Sequence, residues 1–218
     1  MTPGEPLLRW DWILDHLGEI GERLSQHLLL TLLAVGIGAL LSFGLSIWTL
    51  RRPGAYAPVT WIAGVLYTIP SLALFALLVP ITGLSVLTAE IGLVSYTLLI
   101  LIRAIVGGVR GVPADVREAA EGLGYTGRQS LWQIELPLAL PVIVAGVRIA
   151  VVTTIGLVTV TALIGQGGLG YFILQGIQRF FSTALIVGAV LSVALAVLAD
   201  AALVLLQRRL TPWLRTGR

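Results

Sequence analysis

Cysteine is absent from the 218 residues, which removes a disulfide framework and any thiolate metal site. Lysine is absent as well, so no G-x-x-x-x-G-K-[ST] phosphate loop exists anywhere in the chain. Histidine occurs only as His16 and His27, too few for a histidine-built metal centre. Charge is scarce at 11% of residues, against about a quarter in soluble domains. The net charge of +3 is carried wholly by arginine. That modest excess fits the loop bias of a membrane protein rather than a nucleic-acid partner. No cleavable leader is expected, because Glu5, Asp11 and Asp15 precede the first long apolar run. The chain also lacks an obvious internal repeat, which counts against a secondary transporter built from inverted halves.

What is present is apolar: 57% of the residues are hydrophobic. No soluble globule of this size hides so much apolar surface, so the expected solvent is the lipid bilayer. The expected fold class is all-α and polytopic, a single transmembrane domain over 1–218 with about five spans of roughly 20 residues each. They are placed at about 28–50, 59–79, 91–106, 141–164 and 183–206. Gly36, Gly38, Ser42, Gly44 and Ser46 supply small residues for close packing of the first span. Pro70 predicts a kink in the second. Residues 80–90 read as a short turn, and 165–179 as a Gly-rich, partly polar connection.

Before the first span, 7–25 reads as one amphipathic helix, with Leu7, Trp10, Ile13, Leu14, Leu17, Ile20 and Leu24 on one stripe. Membrane-interface contact and packing on the rest of the protein both fit it. With the N-terminus outside, Arg51, Arg52, Arg110, Arg117, Arg128, Arg208, Arg209, Arg215 and Arg218 face the cytoplasm, and Arg9, Arg23 and Arg179 do not. Nine against three is a clear positive-inside bias. The C-terminus is then cytoplasmic, and so is the one polar stretch between spans.

That stretch carries Arg110, Asp115, Arg117, Glu118, Glu121, Arg128 and Glu135. Pro113 suits the first turn of a short helix, with Asp115 and Glu118 near its positive end. Gly122 and Gly124 stop it. Thr126 with Gln129 forms a capping box for a second short helix, which Pro137 is expected to end. A self-contained cytoplasmic loop and a docking device for a partner in water both fit this pattern.

Glu118-Ala119-Ala120, Gly124, and then Ile134, Leu136 and Pro137 resemble the EAA signature of ABC importer permeases. His27-Leu28 with Thr31-Leu32, Thr68-Ile69-Pro70-Ser71-Leu72-Ala73, Leu136-Pro137-Leu138-Ala139-Leu140-Pro141 and Ile164-Gly165-Gln166-Gly167-Gly168-Leu169-Gly170 are similar to the osmoprotectant branch of that family, which imports glycine betaine, choline, carnitine and related solutes. Methionine importer permeases look similar but more distant. The resemblance implies the type I ABC importer permease fold and a coupling segment over 113–136. It also implies alternating access driven by a separate ATPase pair that carries ATP and Mg, with no cofactor on this chain. A second permease chain, identical or homologous, and an extracytoplasmic solute-binding protein complete the expected set of partners in a bacterial or archaeal cytoplasmic membrane. The chain itself is then a transport subunit and not an enzyme. An ATPase-independent channel or secondary transporter is the competing class.

Several other residues carry signals of their own. Gly165 to Gly170 matches G-x-G-x-x-G, but a span precedes it and no acid follows about 20 residues on; a tight packed turn is the reading adopted. Arg103, Arg148 and Asp200 lie nearest the hydrocarbon, where charge is costly and often functional. The arginines are expected to snorkel or pair. For Asp200, pairing with an arginine and a place on the solute path both stand. Thr153, Thr154, Thr159 and Thr161 either line that path or bond helix to helix. Trp61, Tyr67 and Tyr96 are read as anchors and packing rather than a cation–π cage.

Overall fold

A computed structural model describes residues 7–212. Glu5, Arg215, Arg218 and the two ends of the expected 1–218 domain lie outside the described residues. The helices are α1 Trp10–Asp15, α2 Leu17–Arg51, α3 Tyr56–Thr68, α4 Ser71–Thr82, α5 Val86–Arg110, α6 Ala114–Gly122, α7 Gly127–Ser130, α8 Leu136–Val160, α9 Gly170–Gln178 and α10 Ser182–Leu210. No strand occurs among the described residues. Four continuous helical stretches are long and apolar enough to cross a bilayer, and α3 with α4 makes a fifth, bent by 95°.

The bundle is organised around α5, which is buried on most sides. A helix with protein neighbours on most of its faces is apolar over most of its surface. Close approach is bought by missing side chains. A methyl at Gly38 of α2 would collide with Thr97, one at Gly92 with Phe75 of α4, and one at Gly146 of α8 with Ala104. Leu30 and Ala34, Phe75, Ala89 and Leu93, and Val158 then meet in one apolar core. Small residues at crossings suit a membrane bundle, where packing replaces the hydrophobic effect. Ser42 and Ser46 are buried on the same side of α2, whereas Gly36 and Gly44 face open space. Only part of the expected small-residue set is therefore used within this chain.

The bend at Pro70 is larger than a kink. Pro70 has no N–H to donate, and Ile69 is extended (φ −64°, ψ 125°), as a residue before proline prefers. The Tyr96 hydroxyl of α5 donates to the Ile69 carbonyl, and the Tyr96 ring meets Tyr67 edge-on at 5.7 Å. The aromatics thus brace the break, while Trp61 is exposed. Tyr96→Phe should destabilise the bundle by about 1 kcal/mol, read as faster thermal inactivation in detergent; unchanged stability would remove the brace.

Several expected boundaries move. Pro80 lies inside α4 and Glu90 inside α5, so the 80–90 turn shrinks to the residues between Thr82 and Val86. The 165–179 connection contains α9. The amphipathic stripe over 7–25 is not one helix. It breaks at His16 (φ −109°, ψ 14°), whose Nδ1 lies 2.8 Å from the Trp12 carbonyl oxygen. Trp12, Ile20 and Leu24 pack on α9 and α10 around Phe172, while Leu7, Trp10, Leu14 and Leu17 are exposed. The first part of the stripe therefore faces outward, and the rest is core. On α1, a hydrogen bond from Arg9 holds the exposed Asp11 carboxyl below the usual carboxylate range.

Candidate functional site

The polar segment begins where Gly111 ends α5. Pro113 is the N-cap of α6 rather than a first-turn residue, and Asp115 sits in the first turn. The helix ends in a Schellman motif: Tyr125 N–H donates to the Ala120 carbonyl at 3.1 Å, and Gly124 N–H to that of Glu121 at 2.9 Å. Gly124 occupies the left-handed position with φ +84°. The capping box of Thr126 with Gln129 is present.

The second short helix does not stop at Pro137. Residues 127–164 form one continuous helical stretch. Leu131–Glu135 is wound as a π-helix, with the Leu136 N–H bonded to the Leu131 carbonyl. This wider turn removes the clash a proline makes with the preceding turn. Pro137 then falls in the first turn of α8, where its missing N–H costs little. Likewise Pro141 does not open the fourth span; it lies inside α8.

One face of α6 is anchored and the other is free. Ala120 and Val112 are buried, so Ala120 of the signature packs inward. Glu118, Ala119, Glu121 and Gly124 are exposed, and Leu123 is 79% exposed. Ile134 and Leu136 are half-buried and Pro137 is exposed. Arg117 ties the segment to two spans. One η-nitrogen donates to the Val109 carbonyl at the end of α5, 2.6 Å away. Its Nε lies 3.3 Å from Glu135 Oε2, an ion contact without hydrogen-bond alignment. Ser130 donates to the other Glu135 oxygen at 3.1 Å. A push on α6 therefore has a short polar route to α5 and α8. Sequence reading missed this link, since residues 117 and 135 meet only in the fold. It also missed Leu123, which a lone leucine between two glycines in a charged stretch does signal.

At the opposite end, His27 joins three elements. Its Nε2 lies 3.0 Å from the Ile155 carbonyl oxygen of α8, and its Nδ1 accepts from Leu169 N–H at 3.3 Å. These partners make Nε2 the protonated nitrogen. A methyl at Gly168 would strike the His27 backbone, and one at Gly170 the Thr159 carbonyl. The G-x-G-x-x-G stretch is thus a packed turn between α2 and α8.

Of the charges near the hydrocarbon, Arg148 and Asp200 meet. Nε and an η-nitrogen of Arg148 donate to the two Asp200 oxygens at 2.8 and 2.9 Å. Thr153 lines the same cleft, Thr154 is buried, and Arg103 is exposed on α5. Thr159 and Thr161 bond to carbonyls of their own helical stretch, Gly156 and Val158. The structure therefore brings Thr153 to the charged pair and leaves the other three hydroxyls away from that cleft.

Solved permeases share this architecture. The chain superposes on the inward-facing MetNI methionine ABC transporter with TM-score 0.78 over 86% of this chain and 94% of that one, at 23% identity. A crystal structure of an amino acid ABC transporter with histidines gives 0.73 over 93% and 99%, at 19% identity. The fold is that of type I ABC importer permeases. With residues 34–212 matched, the chain belongs to the family of binding-protein-dependent transport system inner membrane components. It is thus a multi-pass inner-membrane transport component that works with a binding protein and an ATPase. The osmoprotectant import permease protein OsmW of Salmonella typhimurium is 39% identical, the match covering 92% of this chain and 96% of that protein. The glycine betaine/carnitine/choline permease OpuCB of Bacillus subtilis is 32% identical over 89% and 90%.

Proposed function

We propose that this chain is the permease of an ATP-driven importer for small osmoprotectants of the glycine betaine, choline and carnitine class. The names of the relatives at 39% and 32% identity support the solute class. The likeness to methionine and amino acid transporters, at 23% and 19% identity, extends to fold alone. The observation that carries the coupling role is the free face of α6, with Glu118, Ala119 and Leu123 outward and Arg117 tying its back to α5 and α8.

In this reading the ATPase cleft takes α6, and Gly124, Ile134, Leu136 and Pro137 shape the passage into α8. ATP and Mg bind the ATPase pair, and this chain holds no cofactor and performs no chemistry. The arginine-rich end, where Arg51 and Arg128 share one cleft, lies in the cytoplasm, with the N-terminus outside. Two permease chains enclose the path, since about five spans are too few to do so alone. ATP closes the ATPase pair, α6 moves, and the spans open outward to receive solute from the binding protein. Hydrolysis restores the inward-facing state.

The test is made on the partners. The cognate binding protein, screened by thermal shift, should be stabilised by glycine betaine, choline or carnitine, and the ATPase should co-purify with this chain. Stabilisation by methionine alone would move the solute class, and a permease that purifies without any ATPase would contradict the coupling role.

A further inference from the structure

Arg148 lies midway along α8, and Asp200 lies well inside both ends of α10. At that depth a charge facing lipid is expensive. The pair is bidentate, yet it is not enclosed: the two side chains remain 30% and 36% exposed. They open into a cleft of about 430 Å³ lined also by Ala145, Ile149, Val152 and Thr153, a size within the roughly 300–1,000 Å³ of small-molecule sites. Its polar side chains are the guanidinium, the carboxylate and the Thr153 hydroxyl; the rest is aliphatic. A brace between two spans needs no such opening. The open side therefore faces protein or water in the assembled transporter.

We propose that this cleft is a transient site for a small zwitterion, Arg148 taking its carboxylate and Asp200 facing its quaternary ammonium. The proposal rests on the osmoprotectant reading above and adds a place in the membrane where the solute is read. A guanidinium fork binds a solute carboxylate in the same geometry as it binds Asp200. A quaternary ammonium has no N–H and asks only for a nearby negative charge. Opening the Arg148–Asp200 pair around such a solute replaces one bidentate contact by another and adds a charge contact. The site is neutral both empty and filled, so neither state strands a charge in the bilayer. Because the protein pair re-forms on release, binding stays weak enough for the solute to leave. Choline, a cation without a carboxylate, meets only Asp200 here and is held more weakly than glycine betaine or carnitine.

The experiment uses the whole complex of this chain, its ATPase and its binding protein in proteoliposomes, with glycine betaine uptake and ATP hydrolysis measured in the same vesicles. Arg148→Gln and Asp200→Asn should each lower the glycine betaine moved per ATP hydrolysed by about tenfold, the first by losing a charged hydrogen-bond contact and the second by losing a charge contact. Arg148→Lys should lower it less. If the pair is only a brace, uptake and hydrolysis fall together and the ratio stays at the wild-type value, which overturns the proposal. Should the single variants fail to assemble, Arg148→Met with Asp200→Leu replaces the ion pair by apolar packing, a change that commonly keeps the fold. A normal ratio in that double variant also overturns the site. Wild-type vesicles that import no glycine betaine at all overturn the osmoprotectant reading and the site with it. Wild-type uptake with matching variants overturns the site alone.

Discussion

Leu123→Asp is expected to weaken ATPase docking by about 30- to 140-fold and to abolish ATP-driven uptake, while the permease still folds. Leu123 is 79% exposed at the end of α6, so burial within its own bundle does not explain a leucine there. Apolar anchors that fill a pocket on a partner are worth roughly 2–3 kcal/mol each, and each 1.4 kcal/mol is tenfold. The fold does not depend on that side chain, so circular dichroism and detergent stability should match wild type. Glu118→Lys should act in the same direction by reversing an exposed charge on the same face. Gly124→Trp has a different cause: with φ +84° and open space around it, a side chain strains the left-handed turn rather than colliding, which costs about 1 kcal/mol locally and tilts α6. The check is pull-down of the ATPase and uptake measured side by side. Normal docking and uptake in all three would make 113–136 an ordinary loop.

The second large effect lies at the opposite end. Gly170→Leu should leave almost no folded protein, because its first side-chain atom meets the Thr159 backbone of α8. Backbone cannot move aside as a flexible side chain does, and overpacking of this kind costs about 3 kcal/mol or more. His27→Ala should cost about 3 kcal/mol, combining a cavity at a fully buried site with an orphaned Leu169 N–H. Gly36→Leu and Gly44→Leu, on the same helix as His27 but facing open space, are the controls and should leave the isolated permease stable. Thermal inactivation of the detergent-solubilised chain separates the two groups. Equal stability across them would mean that the packed turn is not what holds α2, α8 and α9 together.

Much of this was legible from residue order. Long apolar runs located the spans, since nothing else in the chain resembles bilayer-length hydrophobic sequence. Local capping chemistry was readable too, because Gly124 and Thr126 with Gln129 act within a few residues of themselves. Features that depend on distant partners were not. Pro137 reads as a helix end, but a π-wound turn before it absorbs the clash and α8 runs on. The stripe over 7–25 looked continuous, and only the docking of Trp12 against Phe172 and Phe181 shows that its two parts face different ways. The Gly-rich run over 165–179 concealed α9, which packs closely against α10 through its own Gly176 and through Gly188 of α10. Asp200 was recognisable as a charge needing a partner, but several arginines qualified until the fold placed Arg148 beside it.

The central claim is that this chain moves an osmoprotectant only when an ATPase drives it. Its direct measurement is glycine betaine uptake in proteoliposomes holding the permease and ATPase, with binding protein outside and ATP supplied to the ATPase side. The account predicts accumulation above the external concentration that requires ATP, the ATPase and the binding protein together. Accumulation driven by an ion gradient without ATP, or simple downhill passage through the permease alone, would contradict it.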